Sequence, residues 1–284
     1  MISLHPVTRS AAAVRRDPSN FNTVMADILR LRAPLDAILL QPHLDPGLRI
    51  VRRVKSSYRN LVTKYDRNAE KNIVETLSAL YPDVGVVAEE SMPGRRPRER
   101  GWTWCIDPLD GTVNYAYGQP FFAVSIALMR GWTPEVGMVH VPLLRETFSA
   151  IRGRGAFLNG RRIRVRRSTR LRDALMSTGF PYVRNRAFRE NLRNMNFLLP
   201  RVRDFRRGGA AAIDLAFVAC GRLDGYFESG LSPWDVAAGS LLVSEAGGAV
   251  TDWDGGSEWI LRKKILASNR RLQPALLRAI RSCR

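Results

Sequence analysis

Short apolar runs alternate with helical patterns along most of the chain, and this alternation limits the possible folds more than any other feature. The runs VGVVAEE, WTWCI and FFAVSIALM have the length and the β-branched or aromatic content of buried strands. Ahead of them, DRNAEKNIVETLSALYP carries apolar residues on one face of a helix that we expect Asp66 to cap and Pro82 to end. Because the alternation continues to a last helix over residues 272–281, the sequence predicts a layered α/β or α+β fold.

Turn and cap residues mark the ends of several elements. Asn159-Gly160 favours a tight hairpin turn within TFSAIRGRGAFLNGRRIRV. In SPWDVAAGSLLVSEAGG, Ser232 is a good N-cap, a proline suits the first helical position, and Asp235 falls at the third. We therefore expect a hairpin in the first of these stretches and a helix in the second.

The chain carries a formal charge of +19, almost all of it from arginine. The arginines cluster in RRPRER, RRIRVRRSTRLR and RVRDFRR. Such a balance favours anionic partners, which include phosphorylated metabolites, nucleic acid and acidic protein surfaces. A solvated surface rich in arginine is the plainer interpretation, since no zinc finger, recognition helix or aromatic-interleaved basic motif accompanies the charge.

Length and composition exclude several classes of protein. A chain of 284 residues that is 45% hydrophobic can bury a sizeable core. No apolar run approaches the roughly 18–20 residues of a membrane span. Three scattered cysteines are too few for a disulfide framework or a zinc site. We therefore expect a cytoplasmic protein that keeps its thiols reduced and does not bind membranes.

Carboxylates follow the predicted strands at the point where each strand ends. Glu89 and Glu90 close VGVVAEE, WTWCI stops at Asp107, and Asp110 lies in the turn that comes next. Ligands collect at this edge of layered α/β folds. Carboxylate oxygens and a backbone carbonyl such as that of Leu109 form a hard ligand set, which suits Mg²⁺ or Mn²⁺ better than zinc.

The spacing within DPLDGT adds to this interpretation, although each residue also has a plainer one. Asp107 and Asp110 are placed so that one carboxylate can bridge two cations, and the N–H groups of Gly111 and Thr112 would be available to a phosphate. DPLDG is also a good turn sequence by itself. Likewise, SPWD fits a capping box in which Asp235 serves only the start of a helix. The combination favours a metal site more than any single residue does.

Five blocks share their order and spacing with one enzyme family: VVAEES, WCIDPLDGTVNY followed by FFAVSIAL, GRGAFLNG, DLAFVACGRLDGYFE and PWDVAAGSLLVSEAGG. Over about residues 54–269 the chain thereby resembles the inositol monophosphatase family, and within it the bacterial inositol-1-monophosphatase branch. The resemblance implies a five-layer αβαβα sandwich. It places an inositol monophosphatase-like catalytic domain at residues 51–284, after a poorly matched extension and helix over residues 1–50.

The resemblance also implies a reaction and a set of metal ligands. The reaction is Mg²⁺-dependent hydrolysis of a phosphate monoester, namely a myo-inositol monophosphate such as inositol 1-phosphate, with inhibition by lithium. Glu89, Asp107 and the Leu109 carbonyl would hold the first Mg²⁺. Asp107, Asp110 and Asp235 would hold the second, and Glu89 would help to hold a third ion loosely.

Other residues would act on the water, the phosphate and the alcohol. By resemblance, Asp66 lies in the outer shell of the third ion, Thr112 and Glu89 orient the attacking water, and the N–H groups of Gly111 and Thr112 meet the phosphate. The residues that would border the alcohol are Arg206, Gly209, Ala210, Ala211 and Glu228. The family usually has Ser or Thr where this chain has Ala210, which removes a hydroxyl that could select among alcohols.

Two other functions stay open. A relative with the same site would act on fructose 1,6-bisphosphate, NADP(H), histidinol phosphate or a 3′-phosphoadenosine nucleotide. Alternatively, the basic surface docks RNA or the transcription machinery, and the phosphatase fold is kept as a scaffold. A homodimer is implied by the resemblance alone.

Overall fold

The computed structural model describes residues 15–44, 53–54 and 61–283. Its helices are α1 (Phe21–Arg30), α2 (Arg32–Leu39), α3 (Gln41–Leu44), α4 (Lys64–Leu80), α5 (Thr112–Ala116), α6 (Arg186–Leu198), α7 (Ala211–Ala219), α8 (Pro233–Glu245), α9 (Trp259–Arg262) and α10 (Gln273–Ser282). None of these described helices combines the length and the apolar character that a membrane span requires. The predicted domain boundary at residue 50 lies outside the described residues.

The described strands form two larger sheets and one separate two-stranded pair. The strands are β1 (Arg53–Val54), β2 (Leu61–Val62), β3 (Gly85–Ala88), β4 (Trp102–Asp110), β5 (Ala123–Arg130), β6 (Thr133–Val141), β7 (Glu146–Ile151), β8 (Gly155–Leu158), β9 (Arg161–Arg162), β10 (Leu175–Thr178), β11 (Asp204–Arg206), β12 (Gly225–Ser229), β13 (Gly248–Thr251) and β14 (Lys264–Asn269). The separate pair β1-β2 is antiparallel.

The larger sheet has seven strands in the order β3-β4-β5-β6-β7-β8-β9. Within it β3 and β4 run parallel, whereas all later neighbours are antiparallel. Asn159 and Gly160 join β8 to β9 with positive φ angles of 49° and 78°. Such angles at both central residues belong to the tight hairpin turn that the Asn-Gly pair predicts, and that prediction is confirmed.

The smaller sheet has five strands in the order β11-β10-β12-β14-β13. Strand β10 runs parallel to both of its neighbours, and β14 runs antiparallel to both of its own. The chain therefore forms one mostly antiparallel sheet from its first half and one mixed sheet from its second half.

Helices separate and flank the two sheets, which gives five layers. Helices α1, α2 and α4 pack on the outer face of the larger sheet through an apolar cluster that includes Val24, Leu35 and Ile73. Helices α7 and α8 lie between the sheets in a second cluster, and α6 and α10 cover the outer face of the smaller sheet. The αβαβα sandwich implied by the resemblance is confirmed.

Small residues allow α8 to lie deep between the sheets. A Cβ added to Gly137 on β6 would be 3.1 Å from the Cα of Ala238, and one added to Gly239 would be 2.6 Å from the Cβ of Leu215 on α7. Residues on every side of α8 are buried, as expected for a helix that is apolar all round. This close packing fixes where the N-terminus of α8 meets the larger sheet.

Helix α4 begins earlier than the sequence suggested. Thr63 is its N-cap, and its hydroxyl accepts a hydrogen bond from the Tyr65 N–H at 3.1 Å. Asp66 is the third helical residue and accepts from the Thr63 N–H at 2.8 Å. The prediction that Asp66 caps this helix is therefore wrong, because the Thr63-to-Asp66 spacing forms a reciprocal capping box.

Candidate active site

A cavity of about 560 Å³ opens where the ends of β3 and β4 meet the first turns of α7 and α8. Most of the residues selected from the sequence line it, namely Glu89, Asp107, Leu109, Asp110, Gly111, Thr112, Gly209, Ala210, Ala211, Glu228 and Asp235. Asp66 and Arg206 are outside this lining. The fold thus assembles in one place residues that are up to 146 positions apart between Glu89 and Asp235.

The parallel pairing of β3 with β4 brings Glu89 beside Asp107. The Glu89 N–H donates to the carbonyl of Ile106 at 3.2 Å, immediately before Asp107. Buried Glu70 of α4 accepts hydrogen bonds from the next two N–H groups after Glu89, at 2.7 Å each. The turn after β3 is therefore held by a carboxylate that the sequence analysis did not select.

Strand β4 does not end at Asp107 but continues through a bulge to Asp110. Asp107 pairs with Ser125 and Asp110 pairs with Ala123, so the register shifts between the two aspartates. Pro108 occupies the irregular stretch, where its missing N–H costs no ladder hydrogen bond. The predicted strand end is therefore wrong, and the bulge rather than a free turn sets the spacing of the two carboxylates.

Gly111 makes the sharp change of direction from β4 into α5. Its φ is +87°, a backbone conformation that side chains with a Cβ rarely adopt. A Cβ there would also lie 2.7 Å from the carbonyl oxygen of Phe121. Only glycine fits this position, and Thr112 follows it as the first residue of α5.

Thr112 is tied to Asp66 behind the cavity. Its hydroxyl is placed to donate to Asp66 Oδ1 at 3.0 Å or to the Leu109 carbonyl at 3.1 Å. Burial raises the pKa of Asp66, whereas its hydrogen bonds from Thr63 and Thr112 lower it. A hydroxyl that donates to a carboxylate keeps its lone pairs available, so Thr112 can accept a hydrogen bond from a water in the cavity.

The start of α8 places Asp235 next to the bulge of β4. Ser125 lies opposite Asp107, and its hydroxyl donates to the Trp234 carbonyl at 3.0 Å. Asp235 Oδ2 accepts from the Ser232 N–H at 2.7 Å, so the predicted helix-cap role is present. The carboxyl groups of Asp235 and Asp107 are close enough for each to affect the pKa of the other. The Asp235 side chain thus accepts a hydrogen bond at the start of α8 and also lines the cavity.

The aspartates of this cavity destabilise one another when charged. Burial first, and then neighbouring carboxylates, raise the pKa of Asp107 and Asp110 well above the usual range. The same causes raise the pKa of Asp235 to about 7. The close approach of these carboxylates therefore favours a partner of positive charge among them.

The donor set fits a hard divalent cation. Backbone N–H groups hold one oxygen of each aspartate: Leu109 to Asp107 at 2.9 Å, Ala212 to Asp110 at 2.7 Å and Ser232 to Asp235 at 2.7 Å. Across residues 15–44 and 61–283, no three acidic, histidine or cysteine side chains are already assembled around a metal position. Anchored carboxylates nevertheless supply the oxygen ligands that Mg²⁺ or Mn²⁺ prefers.

Helix α7 borrows its N-terminal cap from β4. Ala210 is the N-cap residue and has no side-chain acceptor. In its place, Asp110 accepts the hydrogen bond from the Ala212 N–H. The missing hydroxyl at position 210 therefore leaves the start of α7 without a side-chain cap of its own.

Glu228 closes the end of the cavity that faces the smaller sheet. Tyr226 Oη donates to Glu228 Oε2 at 2.5 Å, and a Cβ on Gly179 would collide with the same carboxylate. Burial raises the pKa of Glu228 to about 8, and this is the main cause of the shift. Glu228 is thus held rigidly by a tyrosine and by a glycine backbone.

Two residues of this end were missed by the sequence analysis. Asp214 is buried in α7 and has its pKa raised to about 7, chiefly by burial. Arg207 lines the cavity, whereas Arg206 donates to Asp204 at 2.6 Å and does not reach the lining. Successive side chains along an extended segment point in alternating directions. This alternation could have indicated that only one of Arg206 and Arg207 faces the cavity.

A family model and the sequences of known proteins both show similarity to this chain. The family model described as the inositol monophosphatase family matches residues 37–284. Nus factor SuhB of Escherichia coli strain K12 is 43% identical over 224 residues, which cover 78% of this chain and 83% of that protein.

Two solved structures share the fold over nearly the whole chain. The extragenic suppressor protein SuhB from Bartonella henselae has a TM-score of 0.82 at 38% identity, and the match covers 91% of this chain and 98% of that one. Inositol monophosphatase from Anabaena has a TM-score of 0.80 at 37% identity, with 93% and 97% covered.

Proposed function

Since this chain belongs to the inositol monophosphatase family, we propose that it is a Mg²⁺-dependent phosphomonoesterase that hydrolyses inositol 1-phosphate to inositol and phosphate. One observation carries the proposal: Glu89, Asp107, Asp110 and Asp235 all line one cavity. A phosphate monoester brings about two negative charges, which such a group repels unless cations reverse the local field. The cavity is therefore suited to a phosphate only together with metal ions.

The same carboxylates are assigned to the ions. Glu89, Asp107 and the Leu109 carbonyl would hold one Mg²⁺, and Asp107, Asp110 and Asp235 would hold a second. Glu89 would contribute to a third, loosely held ion with Asp66 in its outer shell. When bound, such ions lower the pKa of a coordinated water and stabilise negative charge on phosphoryl oxygens.

The protein's own groups orient the reactants. Thr112, whose hydroxyl proton is directed to Asp66 or to the Leu109 carbonyl, would accept a hydrogen bond from the attacking water. Glu89 orients the same water from the end of β3. The N–H groups of Gly111 and Thr112 would bind the phosphate. These contacts raise the rate by positioning rather than by forming a covalent intermediate.

The alcohol part of the substrate would lie toward the smaller sheet. Glu228 can accept hydrogen bonds from vicinal hydroxyls, and Gly209, Ala210 and Ala211 offer backbone at the start of α7. Because Ala210 has no hydroxyl, fewer polar groups distinguish one polyol from another. We therefore propose a broad specificity that includes inositol 1-phosphate, glycerol 2-phosphate and nucleoside 2′-phosphates at comparable efficiency.

A phosphatase panel tests the proposal. The purified protein is assayed with inositol 1-phosphate, fructose 1,6-bisphosphate, NADP, histidinol phosphate and a 3′-phosphoadenosine nucleotide, each with Mg²⁺ or with EDTA. We expect phosphate release from inositol 1-phosphate that EDTA abolishes. If only one of the other compounds is hydrolysed, the protein is a phosphatase for that class of substrate instead. If none of the compounds is hydrolysed in the presence of Mg²⁺, the proposal is refuted.

A second candidate function is a role in transcription. The 43%-identical relative from Escherichia coli is named a Nus factor, and the net charge of +19 favours an anionic partner. The test is binding of RNA or RNA polymerase to wild type and to Asp110→Asn at several salt concentrations. Equal, salt-sensitive binding by both would support a separate function for the basic surface, and no binding would leave the phosphatase alone.

The oligomeric state belongs to the same proposal. We propose a homodimer, because the family resemblance implies one. Light scattering coupled to gel filtration measures it directly, and a mass near the 32.0 kDa of one chain would contradict it.

A further inference from the structure

A second cavity, of about 570 Å³, lies beside α6 and shares no lining residue with the carboxylate site. One face of α6 forms one wall, and the loop after β13 and the start of β14 form the other. Its lining consists of Arg186, Arg189, Glu190, Arg193, Asn194, Trp253, Asp254 and Lys264. A volume of this size accommodates a small organic ligand.

The cavity carries positive charge that its own carboxylates do not neutralise. Buried Glu190 is shared by Arg186 at 3.0 Å and Lys264 at 2.8 Å. Asp254 pairs with an arginine outside the cavity lining at 3.1 Å. Among the residues that the structure describes, Arg189 and Arg193 form no ion pair within 4.0 Å. Four cations against two carboxylates leave two positive charges in the lining.

An unpaired amide lies in the same lining. The side chain of Asn194 is 1% exposed, and within the described ranges neither its nitrogen nor its oxygen has a hydrogen-bond partner. Leaving both groups of a buried amide unpaired is costly, so such a residue calls for a bound molecule that satisfies it. Asn194 lies on α6 between Glu190 and the end of the helix, on the face that carries Arg193.

We propose that this cavity binds a small phosphate monoester, held by Arg189 and Arg193 and by the amide of Asn194. A phosphate monoester carries about two negative charges at neutral pH, which matches the two positive charges of the lining. Arginine forms bidentate hydrogen bonds with phosphate oxygens, and the Asn194 NH₂ group can donate a further one. The remaining wall includes Lys264, which lies over the ring of the buried Trp253 at 5.1 Å and adds a further cation near the site.

Inorganic phosphate serves as the probe, and equilibrium dialysis in EDTA measures its binding without any dependence on turnover. We expect one phosphate per chain, bound more weakly as the salt concentration rises. The Arg189→Gln/Arg193→Gln double variant should bind phosphate at least about tenfold more weakly. The control, Arg161→Gln/Arg164→Gln, removes the same charge from exposed positions elsewhere and should bind like wild type.

A third variant tests the buried amide. Asn194→Leu keeps the approximate volume and removes both unpaired groups, so it should match or exceed wild type in Tm while binding phosphate about tenfold more weakly. Phosphate affinity that is unchanged in this variant or in the α6 double variant would overturn the proposal. Binding of a single-stranded RNA without any binding of phosphate would also overturn it, in favour of a nucleic-acid surface. These results do not depend on whether the carboxylate site is a phosphatase.

Discussion

Asp235 has an observed capping role and a proposed metal-binding role, which depend on different properties of one carboxylate. As a helix cap it needs only an oxygen that accepts the Ser232 N–H, and this bond is 2.7 Å long. As a metal ligand beside Asp107 it needs a negative charge. Substitutions that keep the oxygen but remove the charge therefore separate the two roles.

We expect Asp235→Asn to keep the stability of the wild type, because Asn caps helices about as well as Asp. The same change should sharply raise the Mg²⁺ concentration needed for half-maximal activity. Asp235→Ala is the matched variant, since it loses the cap as well and should cost about 1 kcal/mol of stability. Thermal unfolding and a Mg²⁺ titration of phosphate release measure both effects. Equal Mg²⁺ dependence in wild type and Asp235→Asn would leave Asp235 with its capping role alone.

Asp214 should make stability depend on pH. Burial raises its pKa to about 7, from 3.8 in the unfolded chain. Between these values the folded protein holds a proton that the unfolded chain has released, so stability falls as the pH rises through this window. Asp214→Asn removes the effect, and its stability relative to wild type should increase by on the order of 2 kcal/mol from pH 5 to pH 8.

Urea unfolding of metal-free protein at the two pH values measures this difference. Asp204→Asn is the control, because Asp204 is exposed, has a lowered pKa, and stays ionised across the range. A constant difference between Asp214→Asn and wild type at pH 5 and pH 8 would show that Asp214 keeps an ordinary pKa.

Buried acidic residues that lie within helices were the hardest to predict. The carboxylates Glu89, Asp107 and Asp110 could be selected because each follows an apolar strand. Glu70 and Asp214 lie within helices, where a single acidic residue in the sequence does not reveal whether it is buried. Their importance follows only from contacts between distant parts of the chain, which the pattern and spacing of residues in the sequence do not reveal.

Among the secondary-structure elements, the connection from β4 to α5 sets the position of the backbone N–H groups that we propose bind the phosphate. Gly111 adopts φ +87° and has the Phe121 carbonyl 2.7 Å from the place of a Cβ. Gly118, two residues after α5, also has a positive φ of 72° but has no atom within 4 Å of that place. Substitutions at the two glycines therefore distinguish the effect of backbone strain from the effect of a steric conflict.

We expect Gly118→Ala to cost about 1 kcal/mol of stability through backbone strain alone and to leave activity unchanged. Gly111→Ala combines the strain with a steric conflict, so it should cost at least about 3 kcal/mol and remove most activity. Chemical unfolding and phosphate release measure these effects. Equal losses in the two variants would show that the Phe121 contact relaxes freely.

Helix α7 provides a prediction about the missing hydroxyl. Ala210→Ser supplies the helix with a cap of its own, which should stabilise the protein by about 0.5–1 kcal/mol and raise Tm by roughly 2 °C. The added hydroxyl should also narrow the range of alcohols accepted. Ala210→Val adds volume without a cap, and a Tm for Ala210→Ser no higher than for this control would contradict the capping argument.

The order and type of the elements could largely be predicted from periodicity and turn residues, whereas two element ends could not. Strand β4 was expected to stop at Asp107, because a proline and a second aspartate follow. A bulge tolerates both residues and carries the strand to Asp110. Likewise, both Thr63 and Asp66 are good cap residues. Thr63 is the one that caps α4, because Asp66, three positions later, completes its capping box.

At the scale of the whole molecule, the candidate site is assembled from both sheets and from the helices between them. The larger sheet contributes Asp107 and Asp110, the smaller sheet contributes Glu228, and α8 brings Asp235 between them. The carboxylates therefore come together only when both sheets and the helix between them are in place. This explains why sequence blocks far apart in the chain are needed to identify one site.

We propose that these carboxylates hold metal ions, and the activity of Asp110→Asn shows whether they do. An Asn oxygen can still accept the Ala212 N–H that caps α7, so the fold and Tm should be retained. The variant loses one negative charge, and phosphate release from inositol 1-phosphate at saturating Mg²⁺ should fall by about 10²–10³-fold. Near-wild-type turnover of the folded variant under these conditions would contradict the metal-dependent account.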